Sequence, residues 1–233
     1  MPIVARDASL IILRGADVLE FIDGLSTNLV KDLKVGQHVQ TVFTDRNAKI
    51  IDLCTCLQMD SFVALIGHNR NRERLLNHLY SRILTADVSI SDVTEKNDFF
   101  IDISSDEKEY DSGITSVRIA ESEILLVASK GTGPEVDMSE KEWDEWRIEN
   151  LRPDVGHEIT EKFHPFSCGL SALVHASKGC YIGQEVLVRM RSRGTFGREL
   201  KRLENGDCKP NFVTTKGDSH CLAIVRTNSQ ESL

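Results

Sequence analysis

The sequence predicts an α+β fold with antiparallel or mixed sheets, and three observations carry that prediction. Short runs rich in β-branched and apolar residues outnumber the helical patterns. Several of these runs follow one another across tight turns, as hairpin strands do. The few helical stretches do not alternate regularly with strands, which excludes a βα repeat.

Taken in order, residues 9–13 (Ser-Leu-Ile-Ile-Leu) are a short apolar strand. A helix over 17–23 follows, with Val18, Leu19, Phe21 and Ile22 as its apolar residues and Gly24 as its stop. Ser26, Thr27 and Asn28 come next, and on their own they cap the turn carrying Leu29, Val30 and Leu33. Residues 39–44 and 49–57 are two strands around Asp45-Arg46-Asn47-Ala48, a hairpin, and 62–67 is a third strand. The clearest helical period spans 69–84: Leu75, Leu76, Leu79, Tyr80 and Ile83 share a face, with Arg70, Arg72, Glu73 and Arg82 off it. His68 and His78 are expected at the surface or in caps. Further strands occupy 87–91, 99–103, 116–120 and 123–128. The run Lys130-Gly131-Thr132-Gly133-Pro134 breaks the chain like a linker. Ser139-Glu140-Lys141-Glu142 is a capping box that opens a helix through Asn150. On that helix Trp143, Trp146, Arg147 and Asn150 share one face, with Glu149 on its flank, and both tryptophans are expected to pack in the core.

A chain of 233 residues can bury a sizeable core in one large domain or in two to three small ones. No apolar run is long enough to span a bilayer, and the first residues lack a signal peptide's basic-then-apolar pattern. A cytoplasmic location without a membrane partner is therefore expected. The net charge of −8 argues against nucleic acid as a partner. The charge is nonetheless uneven: residues 178–202 carry seven basic side chains against two acidic ones, a basic island suited to an anionic ligand. Six cysteines stand at 54, 56, 168, 180, 208 and 221 without any zinc-like spacing, so no resident metal is expected. In a reducing compartment most of them should be buried thiols.

The most informative stretch is Lys178-Gly179-Cys180-Tyr181-Ile182-Gly183-Gln184-Glu185. It sets a cation, a thiol, a phenol, an amide and a carboxylate around two glycines, residues that let a backbone turn sharply or approach a ligand closely. Residues 184–190 read as a short helix with Glu185 near its start and Arg189 near its end. Cys180 then lies just before a helix N-terminus and two residues from Lys178, and both features favour a thiolate. Taken singly, the same cysteine reads rather as an inert residue of a surface loop; it is the run of eight such residues that turns the reading.

This string, followed by Arg189, resembles the signature of the YgfZ-type folate-binding proteins. They are relatives of the aminomethyltransferase, or T-protein, of the glycine cleavage system, and include iron–sulfur assembly factors of mitochondria. The spacing Gly15-x-Asp17-x-x-x-Phe21-x-x-Gly24-x-x-Thr27-Asn28 is similar to the opening of the T-protein family, where this turn lies near the folate pocket. Arg147-Ile148-Glu149 resembles that family's Arg-Leu-Glu, whose carboxylate holds the pterin ring. A carboxylate suits that task because the pterin edge offers two adjacent N–H donors. The pattern continues through Asp154-Val155-Gly156-His157-Glu158-Ile159 and Pro165 toward Gly169-Leu170.

The resemblance implies a T-protein-like folate-binding core over residues 1–203, either whole or as 1–50 plus 139–203 around an inserted subdomain at 51–138. Family members end in a separate small β-barrel. Here residues 204–233 contain two strand-like runs, 212–215 and 221–226, which read as the remnant of a shortened barrel. The resemblance also implies tetrahydrofolate or a derivative as cofactor, held by Thr27, Asn28, Glu149, Tyr181, Gln184, Glu185 and Arg189. Cys180 and Lys178 are implied as the reactive pair, and iron–sulfur client or assembly proteins as partners. The family's glycine-rich transfer hairpin, Thr-Gly-Tyr-Thr-Gly-Glu-x-Gly, corresponds to residues 117–124, which have no glycine, tyrosine or aspartate. Glu121 and Glu123 read there as turn residues. The expectation is a folate binder that supports iron–sulfur cluster assembly or repair and does not cleave glycine, with a folate-dependent one-carbon transferase as the alternative.

Overall fold

The computed structural model describes residues 2–227 apart from 107, 195 and 208, so Cys208 lies outside the described residues. Its elements are β1 (Ile3–Arg6), β2 (Ala8–Arg14), α1 (Val18–Leu25), β3 (His38–Thr44), β4 (Ile50–Gln58), β5 (Val63–His68), α2 (Arg72–Tyr80), β6 (Ser89–Asp92), β7 (Asn97–Ile103), β8 (Ile114–Ala120), β9 (Glu123–Ser129), α3 (Glu140–Glu149), α4 (Gln184–Arg193), β10 (Arg198–Glu204), β11 (Val213–Lys216) and β12 (His220–Arg226). They form three sheets, ordered β3-β4-β5-β2-β6, β1-β7-β9-β8 and β10-β12-β11. Every pairing of these strands is antiparallel, and the one parallel contact among the described residues is the isolated bridge of Val155 to Ile159. No helix of the described residues is long and apolar enough to cross a membrane.

β2 shows why the first apolar run is continuous rather than alternating. Ile11 and Leu13 face α1 and α2, where they pack with Ile22, Phe43, Leu65, Leu75 and Leu79. Leu10 and Ile12 face the second sheet and meet Val117, Leu125 and Val127. A strand buried on both faces needs apolar residues at every position. Each such side chain contributes about 1.5–3 kcal/mol by leaving water. The third sheet packs Leu200, Leu222 and Ile224 against Ile148 of α3 and Val42 and Ile50 of the first sheet.

Several boundaries differ from the sequence expectation. α1 runs through Gly24 to Leu25, because Leu25 is buried in the core and the Ser26 hydroxyl closes the helix on the Ile22 carbonyl at 2.9 Å. No helix follows Ser26-Thr27-Asn28. Asp23 instead caps the next turn, accepting the N–H groups of Val30 at 2.8 Å and Lys31 at 3.2 Å. The expected 69–84 helix is a 3-10 turn, Asn69–Asn71, followed by α2. The Arg82 guanidinium donates to the His78 carbonyl at 2.8 Å and satisfies the helix end, leaving Tyr80 and Leu84 exposed. His68 does cap, its Nδ1 accepting the Arg70 N–H, but His78 is buried edge-on to Phe43. The capping box at Ser139 and Glu142 forms as expected. The C-terminal strands make an open three-stranded sheet that includes β10, and no closed barrel forms among the described residues.

Candidate functional site

The signature string lies on a loop clamped to the end of α1. A helix C-terminus presents carbonyls that no further turn can satisfy, and it favours a nearby cation. Lys178 answers both needs. Its ammonium donates to the carbonyls of Asp23 at 2.7 Å, Ser26 at 2.9 Å and Asn28 at 2.6 Å, and pairs with the Asp23 carboxylate at 3.2 Å. Burial pulls the Lys178 ammonium below its usual range, with Asp23 opposing. Burial pushes the Asp23 carboxyl up, but the Val30 and Lys31 N–H groups and Lys178 hold it below its usual range.

Thr27 and Asn28 are joined to the signature loop through this clamp, and their side chains are engaged within the fold. The Thr27 hydroxyl donates to the Leu173 carbonyl at 2.7 Å and accepts the Val42 N–H at 3.1 Å, and its own carbonyl accepts the His175 N–H at 2.9 Å. The Asn28 amide donates to the Gln40 carbonyl and accepts the Leu29 N–H, each at 2.9 Å. Tyr181 is buried with Ala48, Phe166, Val174 and Leu187, its ring 5.3 Å from the Lys178 nitrogen. Ile182 and Gly183 rest on the hairpin of β3 and β4: the Thr44 hydroxyl donates to the Ile182 carbonyl at 2.7 Å. Gly183 has φ +86°, and a Cβ there would stand 2.7 Å from the Thr44 hydroxyl and 2.8 Å from the Asp45 carbonyl. Only glycine fits. Gly179 is the opposite case, since a Cβ added there meets nothing of the protein.

Between these two anchors Cys180 is exposed, whereas Cys54, Cys56, Cys168 and Cys221 are buried. Lys178 does not serve it in the way its position in the sequence suggested. The ammonium is enclosed by carbonyls and Asp23, and the thiol that feels its charge is the buried Cys56, which burial pushes up to about 12. Gln184 steadies the loop through the Gly179 carbonyl at 3.4 Å, while Glu185 and Arg189 extend from α4 into solvent. They form no ion pair with each other or with other described residues.

Glu149 is the last residue of α3 and is also exposed, with no hydrogen bond or ion pair. The structure does not join it to the Lys178 clamp. The buried member of that motif is Arg147, with no exposure at all. It pairs with Glu158 at 2.9 Å and Asp144 at 2.6 Å, and donates to the Thr215 hydroxyl at 3.1 Å. Around it Asp154 accepts from the Trp143 indole at 3.1 Å and pairs with Arg6, whose guanidinium lies 5.0 Å from the Trp143 ring centre. Burial pushes the Asp154 carboxyl up, yet Arg6, Arg152 and Arg147 together hold it below its usual range. Glu123 is no turn residue: it is buried and accepts the Arg152 guanidinium at 2.8 Å. Trp143 is core, and Trp146 stacks on it with ring centres 5.1 Å apart. The sequence motif carried a signal for Arg147 and the helical i,i+3 spacing one for Asp144, but Glu158 and Asp154 stand outside any helical or strand period and were not readable as partners.

No protein family model matches the chain. A chloroplastic protein of Arabidopsis thaliana described as a candidate transferase is 23% identical over 213 residues, covering 76% of this chain and 49% of that protein. An aminomethyltransferase of Alkaliphilus oremlandii is 33% identical over 88 residues, covering 36% of this chain and 23% of that protein. These matches thus span half or less of the curated relatives' length. The crystal structure of the glycine cleavage system aminomethyltransferase T from Bartonella henselae matches with a TM-score of 0.77 over 97% of this chain and 78% of that one, at 14% identity.

Proposed function

The chain has the aminomethyltransferase-like fold, and on that basis we propose that it binds tetrahydrofolate or a derivative and supports iron–sulfur cluster assembly or repair in client proteins. The observation that carries the reading is the exposed Cys180 thiol, held on a loop whose two ends are fixed by Lys178 and by Tyr181 and Gly183. Such a loop presents one thiol to a partner without ordering cost on contact. The open space around Gly179 supports the same reading, because the fold itself gives no reason for glycine beside the thiol.

The residues fit folate selectively. Glu149, Glu185 and Arg189 have free charged groups: carboxylates suit the pterin N–H donors, and a guanidinium suits the glutamate carboxylates of folate. Thr27, Asn28, Lys178 and Tyr181 are scaffold in this reading, since their polar groups or rings already have partners. Cys180 acts on an oxidised thiol or on cluster iron belonging to the client, and Lys178 acts by fixing the loop. The aminomethyltransferase match favours a second reading, folate-dependent one-carbon transfer.

Calorimetric titration with tetrahydrofolate tests the first half, with Glu149→Ala expected to lose about 1.5–3 kcal/mol of affinity. Absence of binding by the wild-type chain, or equal binding by the variant, overturns it. Complementation of cells lacking the protein tests the second half: Cys180→Ser should fold, bind folate and fail to sustain a cluster-dependent enzyme. Full complementation by that variant together with folate-dependent carbon transfer in a steady-state assay would establish the second reading instead.

A further inference from the structure

A cleft of about 490 Å³ opens where the tip of the β3–β4 hairpin, the 162–167 loop and the start of β10 meet. Its lining includes Lys49, Lys162 and Arg198 and no carboxylate, in a protein whose net charge is −8. Lys162 and Arg198 form no ion pair among the described residues. The Lys49 ammonium donates to the Lys162 carbonyl at 2.7 Å, which holds it at the rim with donors to spare. The Arg198 guanidinium lies 5.8 Å from the centre of the Phe163 ring, and Phe196 also lines the cleft, packed on Phe166 with ring centres 4.6 Å apart. Unpaired cations converging on a cleft with aromatic walls are a binding arrangement: the cations attract an anion and the rings accept a flat apolar body.

His164 and Ser167 meet at the wall of this cleft, and their hydrogen bonds do not make a nucleophile–base pair. Its Nδ1 accepts the Ser167 N–H at 3.3 Å, so the neutral ring carries its proton on Nε2. Nε2 lies 3.0 Å from the Ser167 hydroxyl and 3.2 Å from the Phe196 carbonyl. A protonated Nε2 donates and cannot take the serine proton, so the pair fixes the cleft wall and does not make a nucleophile.

We infer that this cleft binds a small organic phosphate carrying a planar ring, with the phosphate against Lys49, Lys162 and Arg198 and the ring against Phe163 and Phe196. A phosphate offers several charged oxygens to separate donors, and the guanidinium fork matches two of them at once. The volume falls within the range of small-molecule sites. The site is independent of the folate proposal, since none of its residues is assigned to folate.

The test is titration of the full chain at low salt with adenosine 5′-monophosphate, ribose 5-phosphate and adenosine as probes. The monophosphate nucleotide should saturate, ribose 5-phosphate should bind more weakly, and adenosine should not saturate. Lys162→Ala and Arg198→Gln should each weaken nucleotide binding by about tenfold or more, with melting temperature unchanged for Lys162→Ala because that side chain is exposed and makes no internal bond. Should Arg198→Gln fail to fold, Lys162→Glu replaces it and should abolish binding. The inference is overturned if the nucleotide does not saturate, if the Lys162 variants bind it unchanged, or if adenosine binds as well. Equal affinity for ribose 5-phosphate overturns the aromatic half.

Discussion

The Lys178 ammonium stands 2.6 Å from the main-chain oxygen of Asn28, 150 positions earlier in the chain. That one contact ties the signature loop to the exit of α1 and explains why a lysine beside a cysteine is buried while the cysteine is not. Lys178→Met should therefore act on the fold: it leaves Asp23 without its cation and three carbonyls without their donor. Losing one partner of a buried pair costs about 3–5 kcal/mol. Urea denaturation should show that loss, while Cys180→Ser should stay within about 0.5 kcal/mol of wild type, as exposed substitutions do. Equal stability of the two variants would refute the clamp.

Arg147 and Glu158 are 2.9 Å apart with neither side chain exposed. Arg147→Met should cost about 3–5 kcal/mol by leaving Glu158 charged and buried. Adding Glu158→Gln removes that stranded charge: its one amide oxygen can accept the Asp154 N–H while its NH2 donates to the Thr215 hydroxyl oxygen, which Arg147 no longer occupies. The double variant should recover stability relative to Arg147→Met, with a coupling of about 0.5–3 kcal/mol in a double-mutant cycle.

The two glycines of the signature should respond oppositely. Gly183→Ala meets both a left-handed backbone and the Thr44 and Asp45 oxygens, so a loss of about 2 kcal/mol or more is expected in thermal or chemical melts. Gly179→Ala should leave the melt unchanged. If the loop receives folate or a client at that point, the same variant loses binding or complementation despite its intact fold.

Acid stability should depend on two buried groups of opposite sign. Burial pulls His78 down to about 4, with Arg82 and Arg74 adding to the shift, and its Nε2 has no partner. Its folded value lies below the unfolded one, so stability present above about pH 6.5 is lost as pH falls toward 4. Burial raises Asp52 to about 6 despite the Asn71 and His68 bonds, so its contribution is full below about pH 3.8 and is lost as pH rises through 6. His68 and His164, lowered by burial, act in the same direction as His78. Between pH 6.5 and 4, Asp52→Asn should make unfolding more acid-sensitive, and His78→Phe less. Denaturation curves across that window decide it, and identical slopes in both variants would reject the assignment.

What the sequence made legible was local. The hairpin around Asp45–Ala48, the capping box at Ser139 and the strands flanking the 121–122 turn all follow from neighbours a few positions apart. The burial of His78 was hidden, because one histidine on an amphipathic helix does not reveal whether Phe43 covers it. β10 was missed because its residues, Arg-Glu-Leu-Lys-Arg-Leu-Glu, carry charge on nearly every position and bury fully only Leu200. The bonded partners of Lys178 were hidden for a related reason. Adjacency in sequence pointed to Cys180, while its partners come from the end of α1.

The passage from β1 to β2 uses a single intervening residue, Asp7, yet the two strands belong to different sheets. β1 finds its pairing partner only at residues 99–102, and Arg6 finds its carboxylates only at Glu140 and Asp154. During synthesis the first strand therefore waits for some hundred residues before its edge is answered, and for more than half the chain before its charge is. The second sheet cannot be completed early, nor can it come apart alone without pulling on the first through Asp7. The molecule should melt in one cooperative step, with amide exchange in β1 as slow as in the centre of the first sheet.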